Sequence, residues 1–383
     1  MNDTRERRPA VWRPRPSLFS PRAWTALLVA VLVFALLPLL NLVFPDGHPL
    51  HVSSYAVALT GKFMCYAMAA LALDLVWGYT GILSLGHGVF FALGGYAHGM
   101  YLMRTIGRDG GYQSHLPDFM VFLGWQEYPW YWAFTDHFLY AMLLVVLVPG
   151  VLAFIFGYFA FRSRIKGVYF SIITQAMTFA AMLLFFRNDT GFGGNNGFTD
   201  FKRILGFDIT APGTRAVMYW VTLMFLAGSL VFARAITQSK LGRVLTAVRD
   251  AENRLRFVGY DPLGFKLFVW TVSAVMCGIA GALYVPQVGI INPGEMSTGN
   301  SIEMVIWVAT GGRGTLIGPI IGAGTVNGLK TWFTSAMPEF WLYALGLIFI
   351  LTTLFMPQGI VGVLRQFRTR YLDRTTGRRH AHH

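Results

Sequence analysis

Charged residues are scarce in this sequence. Only 13% of its 383 residues are Asp, Glu, Lys or Arg, whereas a soluble chain carries about a quarter. Hydrophobic residues make up 55%, and long apolar runs recur from one end of the chain to the other. This composition excludes an ordinary soluble domain and predicts an all-α polytopic membrane protein.

The sequence also lacks the residues that most catalytic and metal sites require. Its two cysteines, Cys65 and Cys277, both lie in apolar runs, so neither a disulfide framework nor a thiolate metal site is indicated. There is no GxxxxGKS/T loop, no HExxH motif, and no convincing Ser/His/Asp or paired-carboxylate arrangement. We therefore predict that the chain is not an enzyme, holds no cofactor or metal, and receives any energy of ATP through another subunit.

The net charge of +13 does not indicate nucleic-acid binding, because the basic residues crowd the two ends of the chain. They are Arg5, Arg7, Arg8, Arg13, Arg15 and Arg22 near the start, and Arg365, Arg368, Arg370, Arg374, Arg378 and Arg379 near the end. Basic residues flanking hydrophobic spans are typical of cytoplasmic ends, where anionic lipid supplies the counter-charge. We predict basic cytoplasmic tails at 1–23 and 365–383 and a membrane domain at 24–364.

About ten membrane segments are predicted, with both termini cytoplasmic. They lie near 24–44, 55–77, 87–103, 138–161, 168–186, 216–236, 265–286, 301–312, 315–335 and 340–363. The segment 87–103 is marginal in length and 301–312 is short, so broken or half-length helices are expected. Lys and Arg concentrate in the loops at 161–166 and 239–257, whereas 44–53 contains neither, and this asymmetry sets the orientation.

Glycine-rich stretches interrupt two of these segments. In GYTGILSLGHG, Gly78 and Gly81 bracket a turn and Gly86 and Gly88 bracket His87, which is typical of a helix broken near mid-membrane. GGRGTLIG, at 311–318, repeats the spacing of GYTGILSLG. Glycine also permits close helix packing, so the pattern has two interpretations.

A translocation path is predicted beside the first break. Its candidate residues there are Gly78, Tyr79, Thr80, Gly81 and His87. No carboxylate is spaced to complete a metal site with His87, so a hydrogen-bonded structural ring is favoured over a metal ligand.

The second stretch follows a predicted half-helix. Asn300 and Glu303 have capping-box spacing, so a helix is expected to begin at Ser301 and to cover roughly 16 Å before Gly311. Because Arg313 is costly at mid-membrane, we place it at the cytoplasmic face and the start of the half-helix near the midplane. Asn300, Ser301 and Glu303 are therefore also predicted to line the path, where free N–H groups can meet a substrate oxygen.

Few ionisable residues fall within the predicted segments: Lys62, Asp74, Glu303 and Lys330. Asp74 lies near the cytoplasmic end of its segment, which favours a polar contact at a helix end. Glu303 either caps its own helix or takes part in translocation. Lys62 and Lys330 are expected to snorkel or to find a buried carboxylate.

Outside the membrane, residues 239–260 form an amphipathic stretch. Leu241, Val244, Leu245, Val248, Leu255 and Val258 recur at helical spacing, and charged residues occupy the other face. Gly259, followed by Asp261-Pro262, supplies a stop. The stretch is interpreted either as a helix lying on the inner leaflet or as a rigid element that engages a soluble motor.

Two strings, GYTGILSLGHGVFFALGGYA and SIEMVIWVATGGRGTLIGPIIGA, resemble signature stretches of branched-chain amino-acid ABC-transporter permeases of the second-subunit type. The similarity runs from about residue 55 to 364. Within that family, DLVWGYTG (74–81), RNDTGFGGNNGFTDF (187–201) and RDAENRLRFVGYDP (249–262) are most similar to the urea and short-amide branch. The resemblance implies a bacterial inner-membrane permease that moves urea or short amides.

The resemblance further implies a second permease subunit, two cytoplasmic ATP-binding subunits and a periplasmic substrate-binding protein. It implies that 239–260, in the loop 237–264, is the coupling helix that docks on an ATPase. The residues assigned to it are Arg243, Arg249, Asp250, Glu252, Arg254, Arg256 and Gly259, the last matching the family's loop glycine. Where such permeases often carry Glu-Ala-Ala, this chain has Glu252 and then Arg254-Leu255, which indicates a more basic interface.

Urea is also the substrate favoured by the scarcity of charge. A neutral amide needs donors and acceptors, whereas a zwitterionic amino acid is expected to need paired ionic groups, and few are visible. The alternatives are a branched-chain or other amino-acid permease and, in a different class, a passive urea channel or ion-coupled carrier, which needs no coupling helix.

Overall fold

The computed structural model describes residues 18–165, 167–356 and 358–376. Most of the predicted N-terminal tail (1–17) and the last seven residues of the C-terminal tail (377–383) lie outside the described residues. These described residues are 77% helical, which confirms the mostly helical prediction. Cytoplasmic placement of the two ends stays a prediction.

Thirteen α-helices follow one another in the described part of the chain. They are α1 (Pro21–Val43), α2 (Ser54–Thr80), α3 (His87–Ile106), α4 (Asp118–Phe122), α5 (Phe138–Arg162), α6 (Val168–Phe186), α7 (Pro212–Gln238), α8 (Lys240–Phe257), α9 (Pro262–Val288), α10 (Thr298–Gly311), α11 (Ile317–Ala336), α12 (Trp341–Phe355) and α13 (Gly359–Thr376). Two small antiparallel ladders join β1 (Phe198–Thr199) to β4 (Ile290–Ile291) and β2 (Arg203–Ile204) to β3 (Phe207–Asp208).

Six helices in the described residues are long and apolar enough to cross a membrane: α1, α2, α5, α6, α7 and α9. The other predicted segments fall on α3, α10, α11 and α12, which are shorter or less apolar. The prediction of one segment at 340–363 is wrong, because α12 ends at Phe355 and α13 begins at Gly359. Met356, between them, precedes a proline in the sequence, and a residue in that position is disfavoured in the helical region.

The core is built around α3 and α9. Most residues of α3 are buried, and its backbone meets α9 closely: a Cβ at Gly94 would lie 2.0 Å from the carbonyl oxygen of Gly278. A Cβ at Gly281 would likewise lie 1.8 Å from the carbonyl oxygen of Phe91. Glycine therefore serves here the second of its two predicted uses, which is close helix packing.

The glycine-rich stretch at 78–88 does interrupt the helix, but the interruption lies elsewhere than predicted. The 27 residues of α2 run unbroken through Gly78 to Thr80, and Gly81 ends the helix with a φ of 74°. A helix of that length covers about 40 Å, which is a full membrane crossing, so the break lies at its end and not near its middle. Gly78 does not begin a turn; the absence of a side chain there allows contact with another part of the chain.

The half-helix α10 exists, but the prediction that it begins at Ser301 with an Asn300 cap is wrong. It begins at Thr298, because the hydroxyl of Ser297 accepts from the backbone N–H of Asn300 and caps the helix one turn earlier. Its 14 residues span about 21 Å, which is still less than a bilayer.

The amphipathic helix is confirmed as α8, capped by Ser239, but it is kinked at Ala251 (φ −157°, ψ 64°). The kink changes which side chains face the protein. Leu245 and Val248 are buried as expected, whereas Val258, predicted on the apolar face, is 75% exposed. The helical period used in the prediction does not continue across non-helical backbone.

Candidate functional site

The connection between α2 and α3, residues 81–86, is anchored on α6. The hydroxyl of Ser171 donates to the carbonyl oxygen of Leu83 at 2.8 Å, and the backbone N–H of Leu85 donates to the hydroxyl of Thr174 at 3.1 Å. Irregular backbone within a membrane domain needs such partners, because no lipid group can supply them. We call this segment the first break.

His87, the first residue of α3, is fully integrated into the protein. Its Nε2 lies 2.8 Å from the hydroxyl of Ser273, and that hydroxyl donates its single proton to the carbonyl oxygen of Ala72. Ser273 must therefore accept from a protonated Nε2, which leaves Nδ1 to accept from the hydroxyl of Ser84 at 3.1 Å. The ring thus has a partner at each nitrogen, in agreement with the structural interpretation; its place on a translocation path stays a prediction.

The beginnings of α3 and α10 lie against each other. A Cβ at Gly88 would lie 2.8 Å from the hydroxyl of Ser301 and 3.0 Å from the carbonyl oxygen of Glu295. Instead of capping the helix, Asn300 reaches back along the chain, donating to the carbonyl oxygen of Gly294 at 3.0 Å and to the Glu295 carboxylate at 3.4 Å. The turn that precedes α10 therefore packs against the beginning of α3.

Four ionisable side chains gather near the beginning of α10, on α2, α10, α11 and the turn before α10. Glu303 does not cap its helix but pairs with Lys330, whose Nζ lies 2.6 and 2.9 Å from the two carboxylate oxygens. Glu295 accepts from the hydroxyl of Tyr284 at 3.0 Å. Lys330 has therefore found the carboxylate that its position required. We call Lys62, Glu295, Glu303 and Lys330 the ionic cluster.

Lys62 is held differently from Lys330. Its Nζ lies 5.6 Å from the ring centre of Tyr66 and 6.0 Å from that of Tyr284, which is cation–π geometry. The sequence did not identify Glu295 or the two tyrosines as part of a site. Glu295 could have been noticed, because it is an acidic residue shortly before the half-helix whose start was placed near the midplane.

A second cluster lies where α2, α8 and the connection between α10 and α11 meet. The guanidinium of Arg249 donates to the carbonyl oxygen of Gly78 at 2.8 Å. Asp74, fully buried, accepts from the backbone N–H of Gly314 at 2.6 Å. The predicted polar contact of Asp74 at a helix end is therefore present, and its partner is the glycine stretch at 312–316, which we call the second break.

The kinked helix α8 divides into an attached and an exposed part. Glu252 lies 3.1 Å from Arg256 within α8 and 2.8 Å from Lys266 of α9, and the second contact ties the helix to the membrane domain. In α8 and the three residues after it, the exposed residues are Lys240, Arg243, Arg249, Asp250, Asn253, Arg254, Phe257, Val258, Gly259 and Tyr260. Phe257 is 91% exposed, so the tip of this element is apolar as well as basic.

The eight residues predicted to line a path fall into two places. Gly78, Tyr79, Thr80 and Gly81 form the end of α2 beside α8. His87, Asn300, Ser301 and Glu303 lie at the beginnings of α3 and α10. The structure therefore separates a cluster beside the amphipathic helix from a cluster of ionisable and polar groups at the beginning of α10.

Residues 55–354 match the family described as "branched-chain amino acid transport system / permease component", and this range contains both breaks, the ionic cluster and α8. The chain belongs to this permease family. It is therefore a transport permease component and a multi-pass membrane protein, as the sequence resemblance implied.

Several curated relatives are similar to the permease. The high-affinity branched-chain amino acid transport system permease proteins of Escherichia coli and Salmonella typhimurium are each 25% identical to it over 346 residues, which cover 85% of this chain and 74% of theirs. The autoinducer 2 import system permease protein of Yersinia pseudotuberculosis is 26% identical over 250 residues, covering 62% of this chain and 67% of that protein. No solved structure matches the permease.

Proposed function

We propose that this chain is one permease subunit of an ATP-driven importer in a bacterial inner membrane, with both termini cytoplasmic. The observation that carries the proposal is the family match over 55–354, together with an amphipathic helix within that range that contacts the membrane domain at the end of α2. A passive channel has no need of an exposed helix attached in this way.

The partners follow from this role. The exposed tip of α8, with Arg254, Phe257 and Tyr260, is the surface that we assign to one of two ATP-binding subunits. A second permease completes the membrane unit, and a periplasmic binding protein delivers the solute. Because the chain offers no phosphate-binding loop, ATP hydrolysis takes place on the partners and this subunit is not catalytic.

We further propose branched-chain amino acids as the first candidate cargo. The relatives from Escherichia coli and Salmonella typhimurium, matched over 85% of this chain, are named for these solutes. The ionic cluster also removes the argument for urea that rested on a scarcity of paired charges, since Glu303 and Lys330 are paired and Lys62 and Glu295 lie near them. A zwitterion crossing this region would find both charge signs available.

Urea or a short amide is the second candidate, because three strings of the sequence are similar to the urea branch. Two of them, 74–81 and 249–262, meet where Arg249 contacts Gly78, and the third, 187–201, contains β1, which pairs with β4. None of the three includes a member of the ionic cluster. The urea-like strings therefore concern the contact between α2 and α8 and the loop 187–201, and they do not concern the ionic cluster.

Uptake by the complete importer tests these proposals. The two permeases, the ATP-binding subunits and the binding protein are reconstituted in liposomes, and uptake of radiolabelled leucine and urea is measured with and without ATP. ATP-dependent leucine uptake is expected. Uptake of urea alone would replace the first cargo by the second, and concentrative uptake without the ATP-binding subunits would overturn the importer.

A further inference from the structure

Asp74 connects two parts of the chain that are far apart in sequence. It lies in α2, and its carboxylate accepts from the backbone N–H of Gly314 at 2.6 Å and from that of Leu316 at 3.2 Å. Its side chain is fully buried, and a carboxylate in that setting needs such donors. One residue of α2 thus holds two amides of the second break.

The neighbouring residues strengthen the same junction. A Cβ at Gly78 would lie 2.7 Å from the Cα of Gly314, so the two backbones touch. The hydroxyl of Tyr79 donates to the carbonyl oxygen of Gly314 at 3.1 Å. Three residues near the end of α2, namely Asp74, Gly78 and Tyr79, therefore contact the second break.

The second break also contains a backbone conformation that needs support. Leu316, which precedes α11, has a φ of 61° and is 1% exposed. A leucine in the left-handed region is disfavoured and persists where its surroundings fix it. The bond from its N–H to Asp74 is one such constraint, and it lies one residue before the start of α11.

The same end of α2 is held by α8. Arg249 donates to the carbonyl oxygen of Gly78, and its Cγ would lie 3.0 Å from a Cβ at Gly81. A continuous set of contacts therefore runs from α8 through the end of α2 to the second break, and so to α10 and α11.

We propose that Asp74 is a positioning residue that makes the second break move with α2 when an ATPase displaces α8. The inference rests on the proposed function, since it assumes that α8 is the coupling helix. In this arrangement α8 acts on α10 and α11 through the end of α2, because Asp74 and Gly78 transmit its displacement.

Replacing Asp74→Asn tests the proposal with little change in shape. The amide oxygen can accept one N–H, while the amide nitrogen faces the other N–H and leaves it unpaired. In the reconstituted importer, we expect the variant to assemble and hydrolyse ATP while solute taken up per ATP falls about tenfold. Thr178→Val, which removes a buried hydrogen bond within α6, is the matched control and should keep the wild-type ratio.

Hydrogen exchange supplies a readout that does not depend on transport. Peptides covering 312–318 should exchange faster in Asp74→Asn, while peptides covering 82–86 should not change. An unchanged uptake per ATP in the variant, or unchanged exchange at 312–318, would overturn the proposal. If the wild-type importer itself needs no ATP, the proposed function fails, and exchange still reports whether Asp74 holds the second break.

If Asp74→Asn does not assemble, Tyr79→Phe decides the question. It removes the hydroxyl that donates to the carbonyl oxygen of Gly314 and that also interacts with Thr237, and uptake per ATP should fall by about twofold. A wild-type ratio in this variant would then count against the junction.

Discussion

The first break is bonded to α6, whereas the second break is bonded to α2. The glycine spacing of the two stretches is similar, and each one ends a helix at a glycine with positive φ, namely Gly81 at 74° and Gly312 at 123°. Their anchors differ: hydroxyl groups of Ser171 and Thr174 hold the first, and the Asp74 carboxylate holds the second.

The helices that follow the breaks differ as well. α3 is buried on nearly all sides, whereas α11 leaves Ile317, Ile321 and Trp332 exposed to its surroundings. Similar glycine spacing therefore specifies where the backbone leaves the helix and does not specify what the break is attached to. We expect the first break to stay with the core and the second to follow α2.

The largest expected effect comes from the point where α2 touches the second break. Gly78→Ala places a Cβ 2.7 Å from the backbone of Gly314, which cannot shift cheaply, and overpacking of this kind costs about 1–3 kcal/mol. We expect a lower melting temperature in detergent and at least a tenfold loss of uptake.

Gly228→Ala in α7 is the matched control, because a Cβ there meets nothing within 4 Å. This change should stabilise α7 by up to about 1 kcal/mol through helix propensity. If both variants melt alike, close contact at Gly78 is not what distinguishes the second break.

The next effect separates α8 from both breaks. Arg249→Gln loses a charge-assisted bond to the carbonyl oxygen of Gly78, and because the side chain is 36% exposed we reduce its value to about 1 kcal/mol. Uptake per ATP should fall about fivefold in the reconstituted importer. Lys240→Gln, an exposed change at the start of α8, should leave the ratio as in the wild type.

A smaller effect is expected at the anchor of the first break. Thr174→Val leaves the backbone N–H of Leu85 without its partner, at a cost of about 1 kcal/mol. Hydrogen exchange should rise about fivefold at 82–86 and stay unchanged at 312–318. Faster exchange at both breaks would mean that they are not separately anchored.

The smallest effect concerns pH. The hydrogen bond from Arg249 holds the pKa of Asp250 below its ordinary value. The Arg249–Asp250 pair stabilises the folded protein above the pKa that Asp250 has in the unfolded chain. This stabilisation is lost as the pH falls through the lower pKa that Asp250 has in the folded protein. Melting of the wild type and of Asp250→Asn should therefore converge as the solution becomes acidic, and the difference should be small because both side chains are exposed. A difference that grows on acidification would exclude this assignment.

The sequence was sufficient to predict the main helices, because apolar runs and glycine interruptions are local signals. It also predicted α8 from hydrophobic spacing, although it could not anticipate the kink at Ala251 or the exposure of Val258 beyond it. It placed Asp74 at a helix end correctly. It could not supply Gly314 as the partner, since the two residues are 240 positions apart and no local pattern encodes that contact.

The site was predicted less well for the same reason. The sequence places Gly78 in a turn, because glycine can either break a helix or allow another backbone to pack closely. Only the contact with Gly314 shows that Gly78 has the second role, and that contact is not local in sequence. The start of α10 was misplaced by three residues, because Ser297 and Asn300 are both good caps and the sequence does not rank them. The residues of the ionic cluster lie on separate helices, far apart in the sequence. No local sequence pattern therefore indicates that they form one cluster.

The enclosure of α3 has a consequence for how the protein is made. With His87, His98 and Arg104 in its length, α3 is not among the helices apolar enough to cross a membrane unaided. Its principal neighbour, α9, is synthesised much later. We therefore expect α3 to stay near the insertion machinery, outside the lipid, until the later helices are made. Synthesis halted before Pro262 should accordingly leave α3 open to labelling by water-soluble reagents.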